Sequence, residues 1–251
     1  MIRVEKVSKA FGKGRKKVVV LENLNFHIKK SEIVTILGRS GSGKTTLLDL
    51  IMDLDKPTSG EIHRTKENLS IGYVFQRPTL LPWRNLSRNV ALPLEIAKVN
   101  RKERKIMVKQ ALSQLGLEYA SSYFPHQLSG GMAQRAAIAR AIVQDPDILL
   151  MDEPFSALDP ILRDNLNINL HKFQGRTGKT ILFVTHSINE AVILSNRIVI
   201  LEEGAFVKEF KIDLPDRRDF ETFHTPEFAK IAREIREHLP IQPNIPQRQG
   251  T

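Results

Sequence analysis

Residues 33–46 read Ile33-Val-Thr-Ile-Leu37-Gly38-Arg39-Ser40-Gly41-Ser42-Gly43-Lys44-Thr45-Thr46, an apolar run that passes directly into a glycine-rich turn. The run Ile33 to Leu37 is too short for a helix and is rich in β-branched residues, so it reads as a strand buried on both faces. Thr46 to Met52 follows with helical spacing. A strand, then glycines ending in Gly43-Lys44-Thr45, then a helix, is the context that a phosphate-binding loop demands. The glycines let backbone N–H groups converge on phosphate oxygens, and the helix turns its positive end toward the same anion. Gly38 to Thr46 are therefore the expected nucleotide-binding residues, with Lys44 reaching the β and γ phosphates and the Thr45 hydroxyl offered to magnesium.

Working outward, the same strand-then-polar pattern recurs at Ile71 to Phe75, Ile148 to Met151 and Ile181 to Val184. Helical periodicities separate these runs, for example Val108, Ala111, Leu112 and Leu115, or Met132, Ala136, Ala139 and Val143. Alternation of buried strands with helices predicts an α/β fold with a mainly parallel sheet. Near the amino terminus, Val18 to Leu21 and Leu24 to Ile28 read as consecutive strands with no helix between them, which predicts a small antiparallel flank. Ser87 to Gln144 is mostly helical, with interruptions at Pro93, Gly116 and the Pro125 to Gly131 loop. This divides the chain into an α/β core of residues 1–86 and 145–205, an inserted helical subdomain of residues 87–144, and a C-terminal part of residues 206–251. The last part is expected to hold a strand after Gly204, a helix near Pro226 to His238, and a disordered proline-containing tail from Pro240.

Composition narrows the classes. The chain has 251 residues, 41% of them hydrophobic and 26% charged, near the proportions of an ordinary globular protein. No run of about 18 apolar residues is present and the amino terminus lacks the layout of a secretory signal, so the expected location is the cytosol. Zero cysteines exclude disulfides and thiolate metal sites, leaving oxygen or imidazole as metal ligands. The net charge of +10 fits nucleic-acid binding, attraction to an anionic membrane, or a plain basic surface. Its densest clusters, Lys13 to Lys17 and Arg101 to Lys105, lack the interleaved aromatics of a single-strand stacking platform.

Four further segments carry chemistry. Ile148-Leu-Leu-Met-Asp152-Glu153-Pro154 brings two carboxylates to the end of a buried strand, where Asp152 can hold magnesium and Glu153 can deprotonate an attacking water. Gln76 and His186 follow two other strands, and ligands of open α/β sheets bind outside the carboxyl ends of the strands. Gly38, Gln76, Asp152 and His186 are thus expected around one nucleotide, with Gln76 a candidate magnesium ligand. Leu128-Ser129-Gly130-Gly131-Met132-Ala-Gln-Arg135 opens a periodic helix on small residues and forms a second anion site in a chain that already has one.

At this point the chain resembles the ATP-binding-cassette ATPases, whose signature is Leu-Ser-Gly-Gly and whose motif order is phosphate loop, Gln76, signature, Asp152-Glu153, Ser156-Ala-Leu-Asp159 and His186. The resemblance implies two copies packed head to tail, so that Ser129 to Gly131 of one chain close over the γ phosphate held by Lys44 of the other. It also implies that Phe11 stacks on adenine, that His186 contacts the γ phosphate and that Asp159 communicates across the dimer. A separate membrane-spanning permease would be the motor's load, with ATP and Mg2+ as its cofactors. Gln76-Arg-Pro-Thr-Leu-Leu-Pro82-Trp83-Arg and Leu214-Pro-Asp-Arg217-Arg218-Asp219 resemble the nitrate, sulfonate and taurine importers, which adds an extracytoplasmic solute-binding protein as an indirect partner. Ala133 and Ala136 depart from the bulkier residues usual in the signature helix. The rival reading is a soluble non-transport cassette acting on nucleic acid or ribosomes. Such relatives carry long coiled-coil insertions or two cassettes per chain, and this sequence has neither.

Overall fold

A computed structural model describes residues 1–12 and 14–239 of the chain. The proline-containing tail expected from Pro240 onward lies outside the described residues. Two sheets form the frame. The first contains β1 (Ile2–Phe11) and β2 (Val18–Ile28), joined later by β4 (Ser59–Arg64) in the antiparallel order β2-β1-β4. β3 (Ile33–Leu37) and α1 (Lys44–Met52), the strand and helix read from residues 33–52, lie between β2 and β4 in the chain.

The second sheet has the order β5-β6-β7-β3-β8-β9, built from β5 (Ile71–Val74), β6 (Ile148–Asp152), β7 (Thr180–Thr185), β3, β8 (Arg197–Glu202) and β9 (Ala205–Lys211). All its pairings are parallel except the hairpin of β8 with β9. Alternation along the strands separates two apolar layers. Ile33, Leu149, Met151, Ile181 and Phe183 face the layer built by α2 (Leu86–Ile96), α3 (Arg101–Gln114), α4 (Gly130–Ile142), α5 (Pro160–Thr177), α6 (Ile188–Leu194) and α7 (Pro226–Glu237). Val34, Ile36, Leu150, Leu182 and Val184 face α1 and the antiparallel sheet. Each central strand is thus sealed on both sides, which is why it reads as an unbroken apolar run.

Three expectations are corrected. Val18 to Ile28 is one strand, because an irregularity absorbs the break: Asn23 has φ 48°, and its N–H bonds the Ser8 hydroxyl at 2.9 Å in place of a ladder carbonyl. The strand at Ile71 stops at Val74, and Phe75 leaves the sheet exposed, edge-on against Tyr73 with ring centroids 4.5 Å apart. Pro93 does not interrupt the helical region but sits inside α2, where its missing N–H leaves one intrahelical bond unmade. Gly116, with φ 65°, does end α3 as expected.

Candidate nucleotide-binding site

Register decides the site. Leu37 pairs with Thr185 across β3 and β7, Asp152 with Val184 across β6 and β7, and Val74 with Met151 across β5 and β6. Four parallel strands therefore end level, and the residues just beyond them, Gly38, Gln76, Glu153 and His186, reach the same edge of the sheet. The cleft there has a volume of 250 Å³ and is lined by Val20, Ser40, Gly41, Gly43, Lys44, Thr45, Thr46, Gln76, Asp152 and Glu153.

The glycine turn is shaped before any ligand arrives. Gly43 caps α1 with φ 100°, a left-handed conformation that side-chain-bearing residues rarely adopt, and no side chain caps the helix end. The free N–H groups of that helix end point where an anion is favoured. A methyl group on Gly38 would lie 2.2 Å from the Leu201 carbonyl oxygen, whereas one on Gly41 would meet nothing within 4 Å. Gly38 is needed for packing against β8, and Gly41 is open. Lys44 is buried and its ammonium donates to the Gly38 and Arg39 carbonyls at 2.9 and 2.8 Å, which aligns it along the loop. The buried Ser42 hydroxyl has no partner among the described residues. Arg39 and Ser40 are exposed on the turn.

Glu153 is held on three sides. Its carboxylate lies 3.2 Å from the Lys44 ammonium and 2.8 Å from Nδ1 of His186, and its backbone N–H donates to the Val184 carbonyl at 3.0 Å. Its φ of 43° is a strained backbone for a residue with a side chain, and the surrounding bonds maintain it. The Thr45 hydroxyl donates to Asp152 at 2.9 Å, so two oxygen donors of the kind magnesium prefers are side by side. Burial pushes the Asp152 carboxyl above its ordinary range, and the neighbouring charges of Glu153 and Asp49 add to this, against the Thr45 bond and Lys44. A divalent cation there would relieve the buried negative charge. Anion cradle and hard-oxygen pair together fit a nucleotide with its magnesium.

Gln76 lines the cleft and donates from its amide to the Ser156 hydroxyl at 3.3 Å, which in turn donates to the Glu153 carbonyl at 3.0 Å. Two predicted groups lie elsewhere. Phe11 ends β1, 45% exposed, with the Lys9 ammonium 4.9 Å from its ring centroid, and it does not line the cleft. Ser129 caps α4, its hydroxyl accepting from the Met132 N–H at 3.3 Å, and Ser129 and Gly130 are exposed and absent from the cleft. Asp159 caps α5 in the same way, accepting from the Leu162 N–H at 3.0 Å.

The model of the family described as ABC transporter matches residues 21–156. The chain belongs to the ATP-binding-cassette transporter family. An uncharacterized ABC transporter ATP-binding protein of Methanocaldococcus jannaschii is 41% identical over 91% of this chain and 88% of its own length. An aliphatic sulfonates import ATP-binding protein of Mesorhizobium japonicum is 39% identical over 96% of this chain and 92% of its own. A dimeric ATP-binding cassette solved in a post-hydrolysis state, bound to ADP and Pi, superposes with a TM-score of 0.75 at 36% identity, covering 86% of this chain and all of that one. The cassette is accordingly an ATP-binding and ATP-hydrolysing subunit of a membrane transporter, using ATP with Mg2+, and the soluble non-transport alternative is not favoured. A second solved cassette, described as the dimeric structure of a bacterial ABC transporter cassette, superposes with a TM-score of 0.75 at 37% identity, covering 86% of this chain and all of that one. Among the described residues no helix is long and apolar enough to cross a bilayer.

Reading the sequence by motif missed several residues that shape the site. Val20 reaches the cleft from the flanking sheet, and nothing in its sequence context marks it. Asn89, wholly buried, accepts from the Leu81 N–H and donates to the carbonyls of Leu81, Arg84 and Asn85, so it moulds the turn that carries Trp83. Arg140 of α4 donates to the carbonyls of Pro78 and Thr79 at 2.9 Å each. A lone buried polar residue inside an otherwise helical pattern was the available signal.

Proposed function

We propose that the cassette powers uptake of a small solute such as nitrate, a sulfonate or taurine, with ATP bound between two copies. The phosphate loop, Gly38 to Thr46, of one copy holds the nucleotide, and Ser129, Gly130 and Gly131 of the other close on its γ phosphate. The observation that carries this reading is the convergence of Lys44, Glu153 and His186 at one level strand edge. Glu153 accepts the proton of the attacking water, Lys44 balances the developing phosphate charge, and His186 fixes the carboxylate and contacts the γ phosphate. Thr45, Asp152 and Gln76 would hold magnesium, which neutralises phosphate charge when bound. Phe11 supplies an exposed ring against adenine, and Asp159 lies where two copies meet.

The load is coupled through the loop after Gln76. Trp83 is 70% exposed rather than packed among the helices, and exposed aromatic anchors are favoured at protein interfaces. Asn89 and Arg140 hold the loop from α2 and α4, so a shift of Gln76 relative to the signature helix is delivered to Trp83. The permease receives it at the cytoplasmic face, and an extracytoplasmic solute-binding protein supplies the solute on the other side. No nucleic acid is required. The sulfonate and nitrate import names of relatives support the solute class. The test is to co-purify the chain with its permease, reconstitute both in vesicles with the binding protein, and measure solute-stimulated ATP hydrolysis with alkanesulfonate, nitrate and a cationic control. Stimulation by the anions alone is expected; equal stimulation by the cation, or no membrane partner, would overturn the reading.

A further inference from the structure

Glu190 is a buried carboxylate that the hydrolytic site does not use. It lies in the first turn of α6, the helix that follows His186, and only 4% of the residue is exposed. One of its oxygens accepts from the Thr185 hydroxyl, which also accepts from the Ser187 N–H at 3.0 Å, so Glu190 braces the turn on both sides of His186. Its other oxygen has no hydrogen bond among the described residues and lies 3.8 Å from Nε of Arg163. Burial drives this carboxyl upward and the charge of Arg163 opposes the shift.

Arg163 looks the other way. Its guanidinium donates to the carbonyls of Phe155 and Ser156 at 3.3 Å each and of Leu158 at 2.7 Å, gathering the turn between Glu153 and α5. That turn supports the signature segment. A methyl group on Gly130 would lie 3.5 Å from Leu158, and one on Gly131 would lie 2.5 Å from Leu162. The contacts therefore run from the signature turn through Leu158 and Leu162 to Arg163, then to Glu190, then to the turn bearing His186.

We propose that Arg163 and Glu190 are positioning residues that couple the two half-sites of one cassette, the signature turn and the His186 turn. This rests on the reading that these two turns face different nucleotides in the dimer. Closure of the signature on the partner's nucleotide then adjusts His186 over the cassette's own, because a planar guanidinium on three carbonyls transmits displacement rather than absorbing it. Neither residue touches the reacting atoms.

The experiment compares Arg163→Met, Glu190→Gln and the double variant in steady-state ATP hydrolysis across ATP concentration, with Arg163→Lys as a milder variant and melting temperature recorded for each. The expected result is a fall in kcat of about tenfold with ATP affinity of the monomer unchanged, a Hill coefficient moving toward one, and a double variant no worse than Arg163→Met alone. Turnover and Hill coefficient within about twofold of wild type in every folded variant, or additive losses that track melting temperature, would overturn the proposal. His186→Ala and Ser129→Arg run alongside. If either keeps wild-type turnover, the underlying reading of the site falls and the coupling with it; if both lose turnover while Arg163→Met and Glu190→Gln keep theirs, the coupling alone falls.

Discussion

The phosphate-loop turn and the signature turn are both glycine-rich helix starts, yet they are held in opposite ways. Around Gly38 to Lys44 the chain supplies everything: backbone of β8 against Gly38, two carbonyls on the Lys44 ammonium, and Glu153 alongside it. Ser129 and Gly130 are exposed, and among the described residues the hydroxyl of Ser129 bonds only its own helix end. The first turn is fixed by contacts within one chain, whereas the second is an exposed helix start that does not line the cleft. In the proposed dimer the difference has a purpose, since the two turns would face two nucleotides.

The largest effect should come from Glu153→Gln. The amide keeps the shape but cannot take a proton, so turnover should fall by about a thousandfold while ATP still binds, as measured by hydrolysis and equilibrium binding. Wild-type hydrolysis would remove Glu153 from the reaction. Next in size is a paired substitution that contrasts the two turns directly. Gly38→Ala forces a methyl onto the Leu201 carbonyl and should cost about 3 kcal/mol of stability, while Gly130→Ala meets only ordinary contact and should change it by less than about 0.5 kcal/mol. Equal losses in chemical denaturation would erase the contrast.

A smaller effect concerns Asp152. Its folded-state pKa lies above 3.8, so the folded chain binds more protons than the unfolded one over that window, and stability falls as pH rises through it. The ionised carboxylate is thus a burden on the ligand-free protein at neutral pH. Asp152→Asn should raise the melting temperature of the magnesium-free protein and abolish its magnesium-dependent stabilisation by ATP; a lower melting temperature would contradict the sign. Smallest of all should be the effect of Trp83→Ala on the isolated subunit. With the residue 70% exposed, melting should shift by under about 2 °C, while co-purification with the permease should weaken.

The sequence made the cradle legible because its parts are local or strand-terminal. A strand-glycine-helix context identifies Lys44 without knowledge of any long-range contact, and level strand ends place Gln76, Asp152 and His186 together by topology alone. Contacts that depend on distant packing were not legible. Arg163 and Glu190 are 27 residues apart, as counted along the chain, and each sits in an unremarked helical position until α5 and α6 pack against each other. Pro93 misled because a proline's missing donor breaks a helix only when nothing else holds it, and α2 is held by burial of Leu86, Val90 and Leu94. The split expected in β2 failed because the Ser8 hydroxyl repairs the ladder at Asn23.

The central claim is that one hydrolytic site is built from two chains, and mixing two inactive variants tests it most directly. Lys44→Ala removes the cradle's ammonium, and Ser129→Arg places bulk and charge on the closing surface. Each alone should be inactive, and Ser129→Arg should still bind ATP as a monomer. Mixed in equal amounts, they form dimers in which Lys44 of one chain meets Ser129 of the other, so hydrolysis should recover to at most about a quarter of wild type, since half the dimers are mixed and each holds one intact site. Hydrolysis at the wild-type rate by Ser129→Arg alone, as a monomer, would contradict the two-chain site.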